Sequence, residues 1–268
     1  VKNKRAMIAL VIFLIIALMA IFGPMISPYS YDGMDTAIMN QRPSTAHWFG
    51  TDRFGRDLFT RVLYGARISL MVGIVTAVIN TIIGVIYGGI AGYVGGRVDM
   101  WMMRLTDILY SIPELLYIIL IMLIFGSNVR SIIIGVCVAG WISMARMVRS
   151  QIITLKEQEF ALAAFVLGAN SRRILFKHLI VNSLGTIIVT VTLMIPQAIF
   201  MEAFLSFVGV GISAPMASLG TLAQDARTYL EIFPYQMLFP VAAICVTIFS
   251  LNFIGEGLNS ALNPKGKR

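Results

Sequence analysis

Three carboxylates stand where a carboxylate is costly. Asp107, Glu114 and Glu202 lie in or beside long apolar runs. Acids in such places face a bundle interior or water, and they serve ion or solute routes or interhelical hydrogen bonds. Asp107 reads either as a proton carrier or as the partner of nearby Arg104. Glu114 follows Pro113, a residue that bends helices, and is the better placed of these two to face a cavity. Glu202 is the deepest and has Phe200, Phe204 and Phe207 around it in sequence. It either lines a pathway or holds a neighbouring helix. With Asn252, an amide in the last apolar run, Glu114, Glu202 and Phe204 are the candidates for a pathway wall.

Other chemistry has no motif to carry it. The sequence has no Gly-x-x-x-x-Gly-Lys-[Ser/Thr] loop to cradle a phosphate, no His-Glu-x-x-His and no Gly-x-Ser-x-Gly. Cys137 and Cys245 sit in separate apolar runs and read as packing residues. His47 and His178 are far apart, so no metal site is expected. A hydrolytic centre is not expected either. If the protein moves solute uphill, the energy comes from a partner or an ion gradient.

A different kind of chemistry is suggested by Glu159-Phe-Ala-Leu-Ala-Ala-Phe-Val-Leu-Gly168. A helix there aligns Phe160, Ala163, Ala164 and Leu167 at i, i+3, i+4, i+7. Glu157, Gln158 and Glu159 occupy the first turn, where the helix dipole favours negative charge, and Gly168 supplies the stop. No bilayer crossing needs such a helix. It reads as a surface that docks onto another protein, which makes the chain a subunit.

The elements around these residues are apolar helices. The chain of 268 residues is 58% hydrophobic and 13% charged, against roughly 25% charged in soluble domains. Six runs approach the ~20 residues that span a bilayer: 6–26, 68–92, 108–125, 131–148, 185–210 and 237–257. Lipid-facing backbone tolerates only helices or closed barrels, and each run is too long for a strand. The expected fold is an all-α membrane domain over residues 1–268, with an outer loop at 27–67 and a cytoplasmic loop at 150–182. The first run follows Lys2, Lys4 and Arg5 and ends at Gly23-Pro24 without a small-x-small site, so it reads as an uncleaved anchor. Gly84 and Gly88 have the spacing that lets helices approach closely. Gly95 to Asp99 reads as an inner turn, and Asn170-Ser171 as the cap of a second short helix in the cytoplasmic loop.

The net charge of +8 fits topology better than nucleic acid. With both termini in the cytoplasm, Arg42, Arg53, Arg56, Arg61, Arg67, Arg130 and Arg227 lie outside, and the other two-thirds of the Lys and Arg lie inside. The basic tail Lys265, Lys267 and Arg268 is among these inner residues. That bias is the positive-inside pattern. Arg172, Arg173 and Lys177 suit the same rule, an anionic inner leaflet or an acidic partner. The outer Asp52 and Asp57 alternate with arginines and glycines, as turns tied by local charge pairs do.

Segment 159–182 resembles the coupling loop of bacterial ABC-importer permeases, whose pattern runs Glu-Ala-Ala, three residues, Gly, nine residues, Ile-x-Leu-Pro. Ala163, Ala164 and Gly168 match it. Leu162, His178, Ile180 and Val181 depart from it. His47-x-Phe-Gly-Thr-Asp-x-x-Gly-Arg-Asp57, Tyr64-Gly-Ala-Arg-Ile-Ser-Leu70, Gly95-Gly-Arg-x-Asp99, Met144-Ala-Arg-x-Val-Arg149, Phe204-Leu-Ser-Phe-x-Gly-x-Gly211 and Asn252-Phe-x-Gly-x-Gly-Leu258 narrow the match. They resemble the C-type subunit of oligopeptide and dipeptide permeases, and together they cover nearly the whole chain.

The resemblance implies a type I importer fold of six spans in a bacterial cell membrane, paired with a homologous B-type permease. It also implies two cytoplasmic ATPases that hold ATP and Mg, an extracellular substrate-binding protein, and a peptide substrate. This chain would hold no cofactor and catalyse nothing. Glu159, Phe160, Ala163, Ala164, Leu167 and Gly168 would then form the ATPase contact, with Leu162 adding apolar area where the pattern has an acid. Oligopeptides lead dipeptides and metal chelates as cargo, which share the scaffold, and fold alone does not set substrate. A secondary transporter that uses Glu202, Asp107 or Glu114 as proton carriers is the main alternative from another class. An assembly protein with no transported solute is a further one.

Overall fold

The computed structural model describes residues 4–213 and 216–262. The predicted basic tail and Lys2 lie outside the described residues. Helices make up nearly all regular structure: α1 (Lys4–Ile26), α2 (Leu58–Val94), α3 (Gly96–Tyr110), α4 (Glu114–Phe125), α5 (Val129–Ala139), α6 (Trp141–Lys156), α7 (Glu159–Val166), α8 (Ser171–Arg173), α9 (Ile180–Val208), α10 (Leu219–Arg227) and α11 (Tyr235–Leu262). Among the described residues there is no strand, only an isolated bridge between Thr51 and Asp57.

Five helical units are long and apolar enough to cross a membrane, and six if α3 and α4 together make one bent span. The third apolar run is therefore not a straight helix. It breaks at Ser111–Pro113, and α3 and α4 meet at 73°. Proline removes a backbone donor and clashes with the preceding turn, so a bend was expected there, but not one this sharp. The inner turn is also shorter than the sequence suggests. Only Gly95 interrupts the helices, and Gly96 already begins α3. The expected second short helix does not stand alone. Asn170 caps it by accepting from the Arg173 N–H at 2.8 Å, and the chain then passes through a π-helical stretch, Ile174–Leu179, directly into α9. The whole unit Ser171–Val208 runs for 38 residues.

α2 is the central mast of 37 residues. It packs on α6 through small residues. A Cβ on Gly84 would lie 2.7 Å from the Met144 Cβ, one on Gly88 would overlap the Ala145 carbonyl, and one on Gly92 would lie 2.8 Å from the Arg149 carbonyl oxygen. The 84/88 spacing thus works as read, and Gly92 extends it by one more turn. Arg149 then reaches across to Asp99 with a two-pronged contact. Asp107 is bound by Arg146 at 3.0 Å, not by Arg104 on its own helix. Arg146 is on α6, so the partner comes from the next span. Cys137 is half-buried, while Cys245 is exposed on α11, so it does not pack as expected.

At the opposite end, residues 27–57 fold over the bundle. Asp52 pairs with Arg56 at 2.7 Å, one of the local pairs anticipated. Asp225 of α10 lies 3.5–3.7 Å from Arg53, Arg56 and Arg61. His47 Nδ1 is 2.9 Å from the Asp57 carboxylate, which also caps α2 by accepting from the Thr60 N–H at 2.8 Å.

Candidate functional site

Two features of the bundle have functional geometry. The first is α7. Its N-cap Gln158 offers no side-chain bond, and Leu155 O instead receives the Gln158 N–H. Gly168 has φ +81°, a region that side-chain-bearing residues avoid. From there the chain closes a Schellman cap: the Gly168 N–H donates to Phe165 O and the Ala169 N–H to Ala164 O. The cap fixes the C-terminal end of this short helix.

Ala161 is the residue that faces the core, 3% exposed, in a cluster with Val148, Ile152, Leu175 and Leu179. Ala164 sits half-buried at the edge of that cluster. Of the aligned stripe, Phe160, Ala163 and Leu167 are exposed while Ala164 turns inward. The sequence pattern did not single out Phe165 and Val166, which are 69% and 82% exposed; Leu167 reaches 87%. Leu162 is exposed as well. Large apolar side chains grouped at the surface mark an interaction site. Glu159 lies in the first turn, where its charge suits the dipole.

The second feature is a half-open cavity of about 600 Å³ on the bundle. It lies beside the α3–α4 break and Pro196 of α9. Glu114 and Asn252 are on its wall, and so are Phe200, Asn80 and Gln197. Glu202 and Phe204 are not. Glu202 is fully buried and accepts from Ser69 Oγ at 2.6 Å and from Ser206 Oγ at 2.8 Å. Ser218, before α10, donates to Ser206 at 3.4 Å. Of its two readings, the structure thus favours the interhelical tie. Phe204 is exposed on the outside of α9 and stacks on Phe200 at 6.4 Å. Asn80 escaped the sequence reading. Its signal was an amide at the small-residue end of α2.

Comparisons with known proteins agree with this architecture. Residues 84–268 match the family described as binding-protein-dependent transport system inner membrane component. Residues 1–43 match the N-terminal TM domain of oligopeptide transport permease C. The oligopeptide transport system permease protein OppC of Bacillus subtilis (strain 168) is 49% identical over 264 residues, 98% of this chain and 87% of that protein. The dipeptide transport system permease protein DppC of the same organism is 48% identical over 268 residues, 100% of this chain and 84% of its own length. OppC of Escherichia coli (strain K12) is 46% identical over 267 residues, 99% of this chain and 88% of that protein. With its five to six apolar spans, the chain is a multi-pass inner-membrane protein and belongs to the family of inner-membrane permease components of binding-protein-dependent, ABC-type transport systems.

Proposed function

We propose that this chain is the C-type permease subunit of an ATP-driven importer that carries oligopeptides into the cytoplasm. The observation that carries the reading is the exposed apolar face of α7, held rigid by its cap and seated on the core through Ala161. Packed contacts shift as units rather than deform, so a partner that grips this face moves the bundle with it. The partners are two cytoplasmic ATPases, which bind ATP and Mg and do the hydrolysis. A homologous B-type permease completes the pathway, and an extracellular binding protein delivers the peptide. In this arrangement both termini and α7 face the cytoplasm, and residues 27–57 face outward. The contact on the ATPase consists of Glu159, Phe160, Ala163, Ala164, Leu167 and Gly168, widened by Phe165 and Val166.

The cavity is within the ~300–1,000 Å³ typical of small-molecule sites, which suits part of a short peptide. Relatives that bear the names of oligopeptide permeases support the longer cargo. The test is a pull-down of the tagged chain from its own membranes in mild detergent, followed by mass spectrometry. A second permease, two ATPases and a binding protein loaded with peptide are expected. Recovery of the chain alone, from a detergent shown to preserve such complexes, overturns the reading and favours a gradient-driven transporter.

A further inference from the structure

α3 sorts its charges by face. The helix carries Arg97, Asp99, Arg104 and Asp107. Both acids are taken up by α6: Asp99 holds Arg149, and Asp107 holds Arg146. Both arginines are exposed, and neither has an ion-pair partner among the described residues. At about 3.6 residues per turn, positions seven apart fall on one line. Arg97 and Arg104 make one such line. Trp101 and Ile108 make the next, 70% and 62% exposed, and Val98 and Leu105 the one after, exposed as well. On the opposite side Thr106 is fully buried, and the Met102 carbonyl accepts from the Tyr87 hydroxyl of α2 at 2.8 Å. Around its outer surface the helix thus grades from aliphatic to aromatic to cationic. A helix that lies on a membrane has this gradient, with low net hydrophobicity.

The direction of α3 is a second, independent observation. Glu114 is the one charged residue of α4, at its start, and the rest of that helix is apolar except for Tyr117. α3 meets it at 73°. A helix turned so far from an apolar one, with four charged side chains, suits the membrane surface and not its centre. The side is given by Lys156 at the end of α6. Its Nζ donates to the carbonyls of Gly92 and Tyr93 at 3.4 and 3.2 Å, so α3 starts beside the junction that leads into α7.

We propose that α3 lies in the headgroup layer on the α7 side of the membrane and binds anionic phospholipid there. Arg97 and Arg104 hold the phosphates, for which the guanidinium fork is shaped. Trp101 sits at headgroup level, where aromatic rings collect, and Val98, Leu105 and Ile108 rest on the upper part of the acyl chains. The occupant is lipid because the face is complementary to it in charge. The two acids that would repel a phosphate are already bound to α6, and the face continues from the apolar spans on either side. Only the identity of that side as cytoplasmic rests on the import reading above.

The test uses the protein purified from its own membranes with the subunits that accompany it, exchanged into nanodiscs. The discs contain phosphatidylcholine or phosphatidylglycerol, brominated either near the headgroup or at the tail ends of the acyl chains. Bromine quenches tryptophan on contact. The fluorescence lost in Trp101→Phe, against the remaining Trp48 and Trp141, isolates the signal of position 101. That signal is expected to be quenched by bromine near the headgroup, and more strongly by phosphatidylglycerol. Arg97→Gln and Arg104→Gln are each expected to lower that preference about fivefold, the effect of one surface charge. Arg97→Lys and Arg104→Lys, which keep the charge, are expected to retain most of it. A signal that neither lipid quenches puts a protein on this face and overturns the proposal. Quenching by the tail-end bromines alone overturns it by placing α3 at the membrane centre. So does an equal response to the two lipids in the parent, a preference unchanged by both glutamine variants, or an equal loss in the glutamine and lysine variants. None of these results depends on what the complex transports, so the import reading stands or falls by its own test.

Discussion

Ser69 on α2 donates a 2.6 Å hydrogen bond to Glu202 on α9, and neither residue is reached by solvent. With Ser206 and Ser218 it ties α2, α9 and the start of α10 at one point. Removing one partner from such a network leaves the others unsatisfied, which costs more than the bonds themselves. Glu202→Ala is expected to destabilise the folded subunit by about 3 kcal/mol, and Glu202→Gln by about 1 kcal/mol, since an amide still accepts one hydroxyl. The midpoint of unfolding in denaturing detergent measures both. An alanine variant as stable as the parent would refute the tie.

The α2–α6 seam makes a sharper prediction, because two adjacent glycines differ in what surrounds them. A side chain on Gly88 meets backbone at Ala145, while one on Gly89 meets only side-chain tips of Ile180 and Leu175 at 3.6 Å. Gly88→Leu is expected to abolish monodisperse protein in size-exclusion chromatography. Gly89→Ala is expected to leave yield and stability within about 0.5 kcal/mol of the parent.

Gly168 separates backbone demand from surface chemistry. Its φ of +81° tolerates asparagine and aspartate better than other residues, and no atom stands within 4 Å of an added Cβ. Gly168→Asp puts a negative charge at a helix C-terminus, where the dipole opposes it, and beside the apolar face of α7. It is expected to leave membrane insertion intact while peptide no longer stimulates ATP hydrolysis by the complex. Gly168→Asn, neutral and of equal size, is expected to stay coupled. Coupled transport in both variants would remove α7 as the point of contact.

Asp225 holds three arginines at once, and Arg61 among them is 3% exposed on its side chain. Asp225→Asn leaves that guanidinium with Asp52 at 3.6 Å as its one remaining carboxylate and with the Tyr31 carbonyl at 3.4 Å. A loss of about 1–2 kcal/mol is expected, below the figure for a fully buried pair because Asp225 itself is partly exposed. Protease nicking between residues 27 and 57 should accelerate in parallel. Nicking at the parent's rate would show that Asp52 suffices.

What could be read in advance follows physical range. The spans were legible because twenty apolar residues in a row have few other fates, and the Gly84/Gly88 seam because close approach needs those residues at that spacing. Asp52–Arg56 was legible for the same local reason. Asp225 was not, since its arginines lie more than 160 positions upstream. Nor was the hydrogen bond that Glu202 accepts, whose donor Ser69 lies 133 residues away. On α7 the periodicity located a stripe but could not say that Ala161 beside it was the residue turned to the core. Pro113 marked a bend without fixing its size, because the angle depends on what α4 packs against, namely α5 and the Ile118–Gly135 contact.

The run from Ser171 to Val208 is one unbroken length of 38 residues, about 57 Å at 1.5 Å per residue. Its base lies next to α7, and farther along it forms part of the cavity wall at Pro196 and Phe200. Over that length a tilt of about 5° displaces the far tip by roughly 5 Å, close to one helical turn. The rod thus acts as a mechanical amplifier: a nudge at its foot too small to break any contact there is enough to re-register the packing at its other end.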